Sequence, residues 1–139
     1  AMHQEARVEA LDPGADFDRR MMNVLLVALG GAVGAVARYG VGLGAARLFG
    51  LAFPWGTLAV NVLGGLAMGA LAARAGPEQE TLRLALGVGV LGGFTTFSAF
   101  SLETVRLMEH QPGLALLYAA ASVVLSVGAC WLGLVLGRV

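Results

Sequence analysis

The sequence predicts an all-α integral membrane protein of four transmembrane helices, with the third helix broken mid-membrane. Three observations carry that expectation. The chain is 58% hydrophobic and 13% charged, and its 21 glycines exceed what a soluble domain of this length carries. Leu84 to Leu102 holds no charged residue, and at about 1.5 Å per residue that run approaches the roughly 30 Å hydrocarbon core of a bilayer. Halfway along it, Gly92-Gly93-Phe94-Thr95-Thr96-Phe97-Ser98-Ala99-Phe100 gathers helix-breaking and hydrogen-bonding residues. Irregular backbone at that depth survives only where protein buries it or where it lines a watery path, so the break marks an ion or solute site.

Residues 1–20 are dense in charge (Glu5, Arg7, Glu9, Asp12, Asp16, Asp18, Arg19, Arg20), contain the turn-like Asp12-Pro13-Gly14, and are expected to form a soluble, water-exposed tail. They lack the apolar core and cleavage site of a signal peptide. Met21 or Met22 is a natural start, and the upstream stretch reads as a cloning remnant or an extension. Residues 21–139 then form the four-helix transmembrane domain. The first span runs from about Asn23 to Ala45, rich in Gly and Ala, with Arg38 in its second half. Arg47 to Pro54 connects it to the second, which Pro54-Trp55 opens and which is uncharged through Ala73. Gly76-Pro77 makes a turn. The third span covers Thr81 to about Leu107, Gln111-Pro112-Gly113 turns again, and Leu114 to Leu136 is the fourth. Trp55 and Tyr39, near span ends, suit the interfacial belt.

Four spans leave both termini on one side, with Arg19, Arg20, Arg74, Arg83 and Arg138 there and Arg38, Arg47 and Arg106 opposite. So weak a bias is compatible with insertion in both orientations. Small residues recur four apart at Gly30/Gly34, Gly40/Gly44, Gly65/Gly69, Ser122/Ser126 and Gly133/Gly137, and such faces let helices approach closely. Four short helices enclose little interior, so a route lined by polar side chains calls for a second copy and a homo-oligomer. The formal net charge is zero and all basic residues are arginine, which gives no basic patch for nucleic acid. His3 and His110 are isolated, no Ser, His and acid combination occurs, and no enzyme is expected. Cys130, the sole cysteine, has no partner for an intrachain disulfide.

The remaining polar residues fall into register. Thr57 and Asn61 share one helix face with Gly64, Gly65 and Met68. An asparagine in hydrocarbon must find partners, either across to a neighbouring helix or along a path. Tyr118, Ser122 and Ser126 form a hydroxyl stripe on the fourth span, although isolated serines in spans commonly bond their own backbone. Phe97 and Phe100 lie three apart beside Thr95, Thr96, Ser98 and Ser101. These groups are neutral and most donate hydrogen bonds, which suits an anion that is partly dehydrated without being trapped. A phenylalanine ring has a positive edge that a small anion can contact, the plainer reading being core packing. Carbonyls released by an unwound Gly92-Gly93 and the following threonines are hard oxygen ligands for a small cation, and two copies on a twofold axis could enclose one.

Gly30 to Tyr39 in the first span, Gly56-Thr57-Leu58-Ala59-Val60-Asn61 in the second and Gly92 to Ser101 in the third, in that order and with the hydroxyl stripe of the fourth, resemble the Fluc family, also called CrcB, of small prokaryotic fluoride channels. The match covers Val24 to about Leu136. The resemblance implies an antiparallel homodimer of dual-topology subunits in the prokaryotic inner (plasma) membrane, in contact with lipid, with two fluoride pores and a structural sodium ion at the dimer axis. It implies Phe97 and Phe100 as pore rings contributed by both subunits, Asn61 as the pore asparagine, and Tyr118, Ser122 and Ser126 as the polar track joined by Ser98 and Ser101, with Thr57 on the same path. It implies Arg38 as a vestibule arginine, where a side chain snorkelling to headgroups is the plainer alternative, and the carbonyls of Gly92 and Thr95 as sodium ligands. Glu103 either lies near the far end of the track or faces water. Ala99 stands where the family commonly has threonine. The expected function is passive, fluoride-selective export. A proton-coupled small multidrug-type transporter is the rival, but it needs a membrane-buried carboxylate that the first span lacks; a non-transporting scaffold would leave the break unexplained.

Overall fold

The computed structural model describes residues 13–139, so the first twelve residues of the expected tail lie outside the described part. Helix α1, Pro13–Phe49, is 37 residues long and at about 1.5 Å per residue exceeds a hydrocarbon core by several turns. Part of its excess is the end of the segment read from sequence as tail. Residues 13–20 are helical and continuous with the first span, carrying an exposed Arg20–Asp16 pair at 2.9 Å. A solvated i,i+4 pair of this kind adds only about 0.3–0.5 kcal/mol, so the helix is extended mainly by propagation from the span below. Gly50 ends it with φ +77 while its N–H returns to the Ala46 carbonyl at 3.0 Å, a left-handed cap that suits glycine.

Helix α2 is Trp55–Arg74, entered through Pro54. The third segment begins as α3, Glu80–Leu82, continues through wider π-type turns over Arg83–Leu91, and returns to an α-turn in α4, Gly92–Phe94. The Gly92 N–H reaches back to the Gly87 carbonyl, the five-residue spacing of such turns. Thr95 (φ −84, ψ 158) and Thr96 (φ −153, ψ 125) are then extended, and α5 restarts over Phe97–His110. Pro112 starts α6, Pro112–Gly137, at a position whose N–H has no helical partner anyway. Among the described residues, four stretches are long and apolar enough to cross a membrane: α1, α2, the composite Glu80–His110 and α6.

Of the stretch expected to unwind, Gly92-Gly93 and the following threonines, only part leaves the helix: both glycines stay helical, and Thr95 and Thr96 depart from helical geometry. Gly93 is needed for closeness, since a Cβ on it would run into the backbone of Gly31. Small-residue contacts of this sort build two seams. Along the first, a side chain on Gly30 or Gly34 of α1 would collide with the backbone at Ala85 or Val90. Along the second, between α2 and α6, Gly65 and Gly69 meet the carbonyls of Ser126 and Cys130, while Gly133 meets that of Leu66. The α2–α6 pair is the most extensive in the bundle. A Cβ added at Gly40 or Gly44, which share the same spacing, would meet nothing within 4 Å.

Candidate functional site

The site grows from the carbonyls and amides that the interruption sets free. In a continuous helix the Gly92 carbonyl accepts from the Thr96 N–H and the Thr95 carbonyl from the Ala99 N–H. Here the Thr96 N–H donates to Asn61 Oδ1 at 2.8 Å, and the Ala99 N–H donates to Thr96 Oγ1 at 3.2 Å, capping α5. The usual donors to Gly92 and Thr95 are therefore spent elsewhere. Asn61 closes a second bond from Nδ2 to the Thr96 carbonyl at 2.9 Å, so one amide side chain of α2 holds both the N–H and the C=O of one residue. Its other Nδ2 hydrogen remains available. From the opposite side Arg38 of α1 reaches in, its Nε–H donating to the Gly93 carbonyl at 3.1 Å.

Beside this junction runs a groove of about 360 Å³ lined by Asn61, Thr95, Thr96, Phe97, Phe100, Ser122 and Ser126. Gly64, Gly65 and Met68, placed on the Asn61 face by helical spacing, line it too. Ser122 Oγ and Ser126 Oγ are buried with no hydrogen-bond partner among the described residues. The back-bond that span serines commonly make is absent from both. The rings of Phe97 and Phe100 stand 5.5 Å apart at 48°, and Phe100 is 5.3 Å from Tyr118. Phe97 is 77% exposed, so its side of the groove is open in the single chain.

Other expected path residues are placed differently. Thr57 and Tyr118 converge on Glu103: Thr57 Oγ1 donates to Oε1 at 2.8 Å and the Tyr118 hydroxyl to Oε2 at 2.7 Å. Two donors on separate carboxyl oxygens tie α2, α5 and α6 together. The carboxylate had no assigned role from sequence beyond a place near the track or in water. Its signal was there, because Glu103 is three residues beyond Phe100 and shares its helix face. Ser98 Oγ pairs with Thr96 Oγ1 at 3.3 Å, and Ser101 Oγ donates back to the Phe97 carbonyl at 2.9 Å, so neither reaches the groove lining. Cys130 lines the groove as well. Among the described residues no group of three or more His, Cys, Asp or Glu side chains could hold a metal ion.

Four apolar spans, three of which line a groove of neutral donors, make this a multi-pass membrane protein. A family model described as "CrcB-like protein, Camphor Resistance (CrcB)" matches residues 25–134, and the chain belongs to the CrcB family. It is similar to the "Fluoride-specific ion channel FluC" of Caulobacter sp. (strain K31), 56% identical over 123 residues that make up 85% of this chain and 96% of that protein. The relative of the same name from Novosphingobium aromaticivorans is 55% identical over 124 residues, 85% and 98% of the two chains. That of Agrobacterium fabrum is 52% identical over 122 residues, again 85% and 98%.

Proposed function

We propose that the chain is a passive, fluoride-selective channel, not an enzyme, that exports fluoride across the inner (plasma) membrane of a prokaryote through two pores of an antiparallel homodimer. One observation carries the reading: two serines whose buried hydroxyls lack partners line a groove that also holds Asn61 and the Phe97–Phe100 pair. A buried hydroxyl normally finds an acceptor, so a pair left open implies a transient occupant. The names of the relatives support fluoride as that occupant.

The groove's chemistry follows from what fluoride must shed. A small, strongly hydrated anion loses water on entering a narrow apolar groove, and the free Nδ2 hydrogen of Asn61 with the two serine hydroxyls replaces part of that shell. Ring edges of Phe97 and Phe100 add weakly positive C–H contacts. Because the donors are neutral, they compensate dehydration without holding the ion as a buried guanidinium would. A larger halide gains less from the same donors and fits the groove less well. The exposed side of Phe97 is where a second, inverted copy would close the wall. In this reading the interruption lies at mid-membrane, Thr57, Tyr118, Ser98 and Ser101 belong to the approaches, and Arg38 lies toward a vestibule.

Sodium belongs to the same proposal. The Gly92 and Thr95 carbonyls fit a hard monovalent cation, since Asn61 and the Thr96 hydroxyl have taken the amides that would otherwise cover them. When bound, the ion would supply the positive charge that joins the two copies of the interruption. A proton-coupled transporter finds one point of support, the carboxylate of Glu103 inside the bundle. Efflux from liposomes read with a fluoride electrode separates the two: rapid fluoride release without a proton gradient, and little chloride release, is expected of the channel. Verified dimers that release no fluoride would count against it.

A further inference from the structure

We infer that Arg38 is a positioning residue which, by occupying the Gly93 carbonyl, determines which oxygens of the interrupted helix remain open. This rests in part on the channel reading, because its consequences for transport assume one.

In an unbroken helix the Gly93 carbonyl would accept from the Phe97 N–H. The extended Thr95 and Thr96 separate the two turns, and Phe97 begins the next helix. The bond that replaces the lost one comes from α1, 55 residues earlier in the chain. Its delivery is built into the first seam. Gly34 brings α1 close enough that a Cβ there would collide with the Val90 carbonyl and the Phe94 amide, and Gly31 meets Gly93 directly. Arg38 follows Gly34 by four residues, on the same face and one turn further along. Its stem therefore lies beside the junction and the fork needs little reach. The side chain is half-buried, and it lines a separate cavity of about 220 Å³ with Thr57 and Thr96.

Four carbonyls near the junction thus meet different fates. Gly93 takes a charged donor from α1, Thr96 takes an amide donor from α2, and Gly92 and Thr95 have lost their helical donors to Asn61 and the Thr96 hydroxyl. Without the guanidinium, Gly93 would present a third open oxygen beside the other two, and the turn it belongs to would lose its tie to α1. A lure for anions at a pore mouth needs only the charge of Arg38. A clamp needs the planar fork with Nε in place, which lysine cannot reproduce.

Gly93-Phe94 is the sole Gly-Phe pair in the sequence, so isotope labels on the glycine carbonyl and the phenylalanine nitrogen isolate one carbonyl resonance in the full-length protein in detergent. Arg38→Lys and Arg38→Gln are compared with the parent, two variants being used in case one fails to fold. Both are expected to move the Gly93 resonance upfield, to lower liposome fluoride efflux by about tenfold or more, and to raise the sodium concentration that gives half-maximal efflux. An unmoved resonance overturns the clamp whatever the efflux. A moved resonance with parental efflux and sodium dependence in Arg38→Lys overturns the positioning role. Absence of efflux in the parent protein would strike the channel reading alone, because the resonance is measured without transport.

Discussion

Ser122 and Ser126 keep two hydroxyls buried and unpaired, an arrangement that gains the folded chain nothing. Removing such a group breaks no internal hydrogen bond. Ser122→Ala and Ser126→Ala should therefore leave the thermal midpoint in detergent unchanged or slightly higher. Fluoride efflux, in contrast, should fall by about tenfold if each donor offsets roughly 1–1.5 kcal/mol of dehydration at the barrier. Parallel loss of stability and flux would instead make the serines structural. The ring pair makes a different demand. Phe97→Ile and Phe100→Ile keep bulk and apolarity but remove the positive ring edge, so efflux should drop by about tenfold or more while the elution volume of the assembly is unchanged. Unaltered flux would dismiss the ring-edge contact. Asn61 belongs to both accounts, since the amide that holds Thr96 also carries the free donor.

At the scale of elements, the bundle is held by backbone proximity more than by a large apolar core. Its fully buried large side chains are only Val60 and Tyr118 among the described residues. In lipid, apolar helix faces gain little by leaving the tails, so packing at small residues and hydrogen bonds between helices carry association. The α2–α6 seam makes the sharper test. A side chain at Gly133 must displace the Leu66 carbonyl and neighbouring Ala70, neither of which is a flexible side-chain end. Gly133→Val should cost about 1–3 kcal/mol through overpacking, read as a lower aggregation temperature in detergent, whereas Gly40→Val, in open space, should cost nothing measurable. Equal behaviour of the two would undo this assignment of the seam. The third segment shows why two threonines can interrupt a helix more effectively than two glycines. Glycine weakens a helix by roughly 1 kcal/mol, but Thr96 offers a hydroxyl cap and Asn61 an alternative set of peptide partners.

For the molecule as a whole, a single chain leaves Phe97 uncovered along the groove, and leaves Gly92 and Thr95 without their helical donors. In the proposed dimer, one inverted partner sharing a cation would account for both. Substituting a bulky organic cation for sodium in the proteoliposome buffers should then suppress fluoride efflux and shorten the lifetime of the dimer on a sizing column, with recovery when sodium returns. Efflux and dimer lifetime indifferent to sodium would remove the ion from the proposal. The composite carboxylate link from Glu103 to Thr57 and Tyr118 joins three of the four spans inside each copy, so the subunit is internally tied before any partner arrives.

Membrane residence, the number of spans and the region of the interruption were all readable from the order of residues, because an uncharged stretch of bilayer length and a cluster of helix-disfavouring residues are local properties. Spacing of four put Asn61 with Gly64, Gly65 and Met68, and these do line one groove. Its limits were equally local. Periodicity could not tell Gly40 and Gly44 from Gly30 and Gly34, since only the neighbouring helix makes closeness necessary. Nor could it show that Thr57 and Tyr118 meet on Glu103, that Arg38 reaches Gly93, or that the helix yields at Thr95 and Thr96. Each of those depends on partners between 15 and 55 residues apart or on competition for one amide, and such a competition is resolved only when the helices pack.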